Sequence, residues 1–163
     1  MKELPLSNGL VTKVDDDVYE LVSQWKWSDN GNGYAVRNDR YAPNKSRKQY
    51  LHRLITGAQQ GDFVDHINGD RTDNRKENLR ICTQAENAMN HSGQKKRKYS
   101  KYKGVTFDPI TKKWVANIGV RYKKIHLGVF KTELEAARAY NEGAVKYCGD
   151  FAYLNDLEGE VQQ

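Results

Sequence analysis

Between Phe63 and Asn90 the chain sets two short apolar runs, a loop of turn formers and a helix start within very few residues. Phe63-Val64 and Leu79-Arg80-Ile81-Cys82 read as short strands, and Asn68-Gly69-Asp70 supplies the residues a tight reversal needs. Thr83-Gln84-Ala85-Glu86 then has the S/T-x-x-E form of a capping box, which predicts a helix starting at Thr83 with Asn87 in its first turn. Strand, loop, strand and helix on this little chain make a small scaffold rather than a large core. Asp65 and His66 lie at its start, and neighbours in an extended chain point to opposite faces. One can serve a metal and the other a water.

The rest of the chain sets bounds. With 163 residues, 37% hydrophobic content and a mean hydropathy of −0.90, two small domains fit better than one large one. No run approaches the roughly 18 apolar residues of a membrane span, and MKELPLSNGL lacks the apolar centre of a signal peptide. A soluble protein of the cytoplasm is expected, with no membrane partner. Cys82 and Cys148 stand far apart with no CxxC pairing, so both are expected as buried thiols.

Charge is divided unevenly. Residues 1–94 carry 13 Lys+Arg and 13 Asp+Glu, whereas residues 95–163 carry 14 and 8, so the whole net of +6 is C-terminal. Within residues 95–131, 12 basic residues face the single acid Asp108. Such a field recruits polyanions with an affinity that falls steeply with salt.

Residues 1–56 read as a mixed αβ region. The segment from Asp15 to Gln24 starts on acids, and Trp25, Trp27, Tyr34 and Val36 flank Asn30-Gly31-Asn32-Gly33 as in a hairpin. Pro43 and the polar run from Asn44 to Lys48 are expected as a loop. The apolar stretch from Tyr50 to Ile55 fits a helix or a strand, with His52 a structural histidine within it. Residues 57–91 form the motif, and residues 92–100, with Lys95, Lys96, Arg97 and Lys98, read as a basic linker. Over residues 101–157 three strands are expected, from Tyr102 to Asp108, Lys113 to Arg121 and Lys123 to Phe130, with Tyr122 at a turn. A second capping box, Thr132-Glu133-Leu134-Glu135, opens a helix with a small-residue face.

Hydrolysing a phosphodiester needs an attacking water, a proton acceptor and positive charge for the transition state. His66 is the candidate base, since an imidazole with an ordinary pKa of about 6.5 accepts a proton at neutral pH. Asp65 is the candidate metal ligand, a hard oxygen donor suited to Mg²⁺, Mn²⁺ or another divalent ion. Asn87 can add a carbonyl oxygen, with Asn90 and His91 as alternatives of poorer spacing. Asn78 is expected to orient the imidazole or to pin the loop.

At Asp65-His66, Asn78 and Asn87, with Asp70, Asp73-Asn74 and Glu77-Asn78-Leu79-Arg80 between, the chain resembles the HNH endonucleases of the phage homing type. The resemblance runs from about Leu51 to Asn90 and implies a compact ββα-metal fold. It further implies that Asp65 and Asn87 bind the metal, that His66 is the base and that the central Asn78 holds loop and base geometry.

The C-terminal part resembles the AP2 domain from about Lys101 to Leu157. Tyr102-Lys103-Gly104-Val105, Lys113-Trp114-Val115-Ala116, Ile118, His126-Leu127-Gly128, Phe130, Glu135-Ala136-Ala137-Arg138-Ala139-Tyr140 and Asn155 carry that resemblance. It implies a sheet laid in the major groove of double-stranded DNA. Period two puts Trp114, Ala116, Ile118 and Val120 on the helix side and Val115, Asn117, Gly119 and Arg121 on the other. Lys103, Thr106, Lys113, Lys123, Lys124 and His126 join Asn117 and Arg121 as expected DNA contacts, and the linker residues Lys95, Lys96, Arg97 and Lys98 are expected to track DNA phosphates. Thr106, Asp108 and Gly119 stand where the plant pattern commonly has arginine, and His126 where it has Trp, so looser base readout is expected.

The expectation is therefore an α+β chain, a small ββα-metal catalytic domain followed by a three-stranded antiparallel sheet plus one helix. Its function would be that of a metal-dependent DNA endonuclease, as monomer or dimer. A noncatalytic DNA-binding protein or regulator on a degenerate nuclease scaffold is the alternative, and an RNA-binding module is weaker because no aromatic RNP-type motif is present.

Overall fold

The computed structural model describes residues 1–42, 45–91, 99–121 and 123–157. The chain forms two compact units, Met1–Gln84 and Ala85–Gln163. The loop residues Pro43 and Asn44, the basic linker residues Lys95 to Lys98 and the turn residue Tyr122 lie outside the described residues.

The first unit opens on a hairpin, β1 (Lys2–Pro5) paired antiparallel with β2 (Val11–Val14). The sequence carried a signal for it in Asn8-Gly9, flanked by Leu4, Leu6 and Val11. Helix α1 (Asp16–Val22) follows, with Asp16 and Asp17 in its first turn, where carboxylates complement the amide dipoles. Val18 and Val22 bury its inner face. Strands β3 (Ser28–Asp29), β4 (Ala35–Ala42) and β5 (Lys45–Tyr50) form a sheet in the order β3-β4-β5. The β3–β4 turn is the expected hairpin, closed by Asp29, whose carboxylate oxygens accept from the Gly31 and Gly33 amides at 2.8 Å each.

Strand β5 corrects the loop expected up to Lys48. The run is polar because the strand lies at a sheet edge with exposed side chains, so the alternation that reveals a half-buried strand is missing. The undecided stretch after Tyr50 is a helix, α2 (Leu51–Thr56), stopped by Gly57 in the left-handed region. Strands β6 (Phe63–His66) and β7 (Leu79–Cys82) then pair antiparallel, His66 opposite Leu79 and Asp65 opposite Arg80, and a 3₁₀ turn at Lys76–Asn78 leads into β7. Leu4, Leu6, Val14, Val18, Val22, Trp27, Ala35 and Leu51 make the core of the first unit, which also contains both strands of the motif.

Helix α3 (Gln84–Met89) starts where the capping box predicts, and its residues from Ala85 belong to the second unit. There β8 (Val105–Asp108), β9 (Lys113–Val120) and β10 (Lys123–Phe130) form an antiparallel sheet in the order β10-β9-β8. Helix α4 (Glu133–Cys148) packs on it through Ala136, Ala137, Tyr140 and Ala144. Both halves of its predicted capping box form between Thr132 and Glu135. Small residues let the helix lie close: a Cβ on Gly143 would come within 2.8 Å of Leu127. Asn155 clamps the start of the sheet, accepting from the Lys103 amide at 2.6 Å and donating to its carbonyl at 3.0 Å. Cys82 is buried as expected, whereas Cys148 at the end of α4 is only half-buried. Among the described residues no helix is long and apolar enough to cross a membrane.

Candidate active site

Strand β6 delivers Asp65 and His66 into the first unit, both at about 5% exposure (6% and 5%). Burial pushes the His66 imidazole below its ordinary pKa, the largest influence on it; a hydrogen bond to Asn74 and the charges of Asp65 and Asp70 oppose the shift, and Arg71 adds to it. The ring is neutral at physiological pH, as a proton acceptor must be.

Aromatic rings box His66 in. His52 on α2 meets it edge-on with ring centroids 5.3 Å apart, and Tyr34 tilts against it at 5.9 Å. Tyr50 packs on His52 at 5.4 Å. His52 is more deeply shifted, to about 3, because burial and then the charges of His66 and Arg53 disfavour its cation. It serves as an uncharged aromatic wall, in keeping with the structural role expected of it.

The loop between the strands is tied by side-chain amides. Asn78 accepts from the Asn68 amide at 3.0 Å and donates to the Asp73 carbonyl at 2.7 Å. Of its two expected roles, these bonds are those of a loop pin. The imidazole is met instead by Asn74, whose Oδ1 lies 3.2 Å from His66 Nε2. Sequence reasoning passed over Asn74 as a residue between motif positions, and nothing in its local spacing distinguishes it.

Asp65 faces a cation already present in the fold. Arg80, its partner across the β6–β7 ladder, donates to Asp65 Oδ2 from Nε at 2.9 Å and from a terminal nitrogen at 2.6 Å. The carboxylate is a hard oxygen donor of the type that divalent ions such as Mg²⁺ prefer, but the guanidinium already neutralises it, so an ion there would have to share Asp65 with Arg80 or displace it. Among the described residues no group of three or more His, Cys, Asp or Glu side chains could hold a metal. An ion there would draw on one carboxylate together with carbonyl, water or phosphate oxygens. Asn87 lies on α3 and belongs to the second unit.

In the second unit the register settles which side chains share a face. Thr106 opposes Val115, Asn117 opposes His126 and Gly119 opposes Lys124, so Thr106, Lys113, Asn117, Lys124 and His126 lie on the face away from α4. Asn117 Oδ1 and His126 Nδ1 are 3.3 Å apart across the strands. Lys123 opposes the inward Val120 and so extends to the other side at the hairpin end. Arg121 sits in the turn with φ 46°, exposed like Lys113, Lys123 and Lys124. Lys103 is held elsewhere: its ammonium donates to the Met89 carbonyl at 2.7 Å and lies over the Tyr153 ring.

Known proteins match this architecture on both sides. The HNH endonuclease family model matches residues 49–89, from the end of β5 through α3. An uncharacterized HNH endonuclease of Acanthamoeba polyphaga mimivirus is 31% identical over 158 residues, 92% of this chain and 77% of that relative. An AP2-like ethylene-responsive transcription factor of Arabidopsis thaliana is 33% identical over 108 residues, 66% of this chain but 21% of the plant protein. APETALA2-like protein 2 of Oryza sativa subsp. indica is 40% identical over 68 residues, 39% of this chain and 16% of its own length. Matched by the family model around Asp65 and His66 and by the viral relative over nearly its full length, the chain belongs to the HNH endonuclease family, with an AP2-like C-terminal part.

Proposed function

We propose that the protein is a divalent-metal-dependent endonuclease of double-stranded DNA, cutting with the first unit and positioning itself through the AP2-like sheet. The observation that carries this reading is the buried, neutral His66 held on Asn74 beside Asp65. His66 takes a proton from the attacking water as the water oxygen bonds to phosphorus. The bond to the leaving sugar oxygen breaks, that oxygen takes up a proton from solvent, and the imidazolium returns its own to solvent. Asp65 would hold the ion together with water and phosphate oxygens, and the ion would supply positive charge for the transition state and the leaving oxygen. Asn87 remains a ligand expected from the sequence pattern alone. Mg²⁺ or Mn²⁺ suits oxygen donors of this type.

Sequence tolerance follows from the sheet. With Thr106, Asp108 and Gly119 on its outer face in place of arginines, few bidentate guanine contacts are available. A site-directed enzyme of the homing type with loose base readout is the result.

The Asp65–Arg80 ion pair favours one second reading, a DNA-binding protein whose carboxylate is committed to the scaffold. Supercoiled plasmid incubated with Mg²⁺ separates the two. Nicking by the wild-type protein, lost in His66→Ala by roughly 10²–10⁴-fold, is expected of the nuclease. If both proteins bind DNA and neither cuts any substrate, the noncatalytic reading stands.

A further inference from the structure

The two nitrogens of His66 are not equivalent, and the N-terminal hairpin decides between them. Asn74 is 1% exposed, and three bonds set its carboxamide. Its Nδ2 donates to the Arg71 carbonyl at 3.2 Å, and a carbonyl can only accept, so that end of the amide is the NH₂. Nδ2 also donates to Thr12 Oγ1 at 2.7 Å, and Thr12 spends its own hydroxyl proton on the Thr72 carbonyl, likewise at 2.7 Å. The remaining end, Oδ1, therefore faces His66 Nε2 as an acceptor, and Nε2 must carry the hydrogen.

The support for this chain of bonds comes from β2. Lys13 donates its amide to the Thr72 carbonyl and accepts from the Asn74 amide, each at 2.8 Å, so a short parallel bridge fastens the hairpin to the motif loop. Thr12 itself is 1% exposed. The rings of Tyr34 and His52 pack against the imidazole, and Asp65, Asp70 and Arg71 are among the charged groups that act on it.

We propose that Asn74, oriented by Thr12, is a positioning residue that holds His66 as the Nε2–H tautomer and thereby makes Nδ1 the nitrogen that takes the proton of the attacking water. The assignment of a base rests on the nuclease reading; the tautomer does not. When Nδ1 is protonated, the Nε2–H bond to Asn74 becomes charge-assisted and strengthens as the reaction proceeds.

The experiment is a long-range proton–nitrogen NMR correlation on the full-length, metal-free protein at neutral pH, read beside plasmid nicking kinetics. The wild type is expected to show a protonated Nε2 and an unprotonated Nδ1. Asn74→Asp keeps an acceptor and keeps the tautomer; Asn74→Leu mixes the two forms and loses roughly 10–100-fold in kcat with KM near wild type. Thr12→Val, which frees the amide of one constraint, falls between them. A bare Nε2 in a wild-type protein that cuts DNA would overturn the positioning role alone, as would an unchanged tautomer ratio in Asn74→Leu. The expected tautomer in a protein that cuts nothing would overturn the nuclease reading, and with it the role of Nδ1.

Discussion

His52 packs its ring against His66, the proposed base, and burial holds its own imidazole far below the ordinary range. The ring is 7% exposed and its pKa lies at about 3, against an ordinary value of 6.5. Between those values the unfolded chain binds a proton that the folded one refuses, so stability is complete above pH 6.5 and is lost as the pH falls toward 3. At 1.36 kcal/mol for each pH unit, lowering the pH from 6.5 to 5 should remove about 2 kcal/mol through His52. His66, shifted the same way, adds to the slope. Urea unfolding at the two pH values should show His52→Phe losing much less stability than wild type over this interval. An equal loss in both proteins would mean that His52 is protonated in the folded state.

Elements closed by neighbouring residues were legible in the sequence, and those closed by distant ones were not. Helix α4 was readable because Thr132 and Glu135 cap each other within one turn. Strand β5 was not, since its polar side chains record only its pairing with β4. The same divide runs through the site. Asp65, His66 and Asn78 stand in a compact motif, whereas Thr12 reaches Asn74 across 62 positions of chain that carry no local pattern. Gly104 belongs to the distant class: with φ 75°, a Cβ there would come within 2.1 Å of the Tyr140 ring and 2.5 Å of the Asn117 carbonyl. Thr132→Ala should cost about 1 kcal/mol, the usual value of a lost cap. Gly104→Ala combines backbone strain with overpacking and should cost about 3 kcal/mol or more. Thermal denaturation separates them, at roughly 4–8 °C for each kcal/mol in a unit of this size. A smaller shift for Gly104→Ala than for Thr132→Ala would show that Tyr140 can move aside.

The two units differ in charge. Residues 1–84 carry a net charge of only +1 and should exert little long-range pull on DNA, whereas the +5 of residues 85–163 gives the AP2-like unit the means to attract and orient it. Affinity should then be governed by the sheet's basic residues while turnover is governed by His66. Lys113, Arg121 and Lys124 are exposed on the outer face of the sheet or at its turn, and neutralising all three with glutamine removes up to three phosphate contacts. Each contact contributes about 0.9 to the slope of log K against log salt, so the triple variant should bind duplex DNA with a slope shallower by up to about 2.7. Fluorescence anisotropy titrations at several salt concentrations measure this directly. Lys146, exposed near the end of α4, provides the control, and Lys146→Gln should leave the slope unchanged. At saturating DNA the triple variant should still nick at a rate close to wild type, because His66, the proposed base, and the residues that hold it lie in the first unit. An unchanged slope in the triple variant would move the DNA-binding surface away from this sheet.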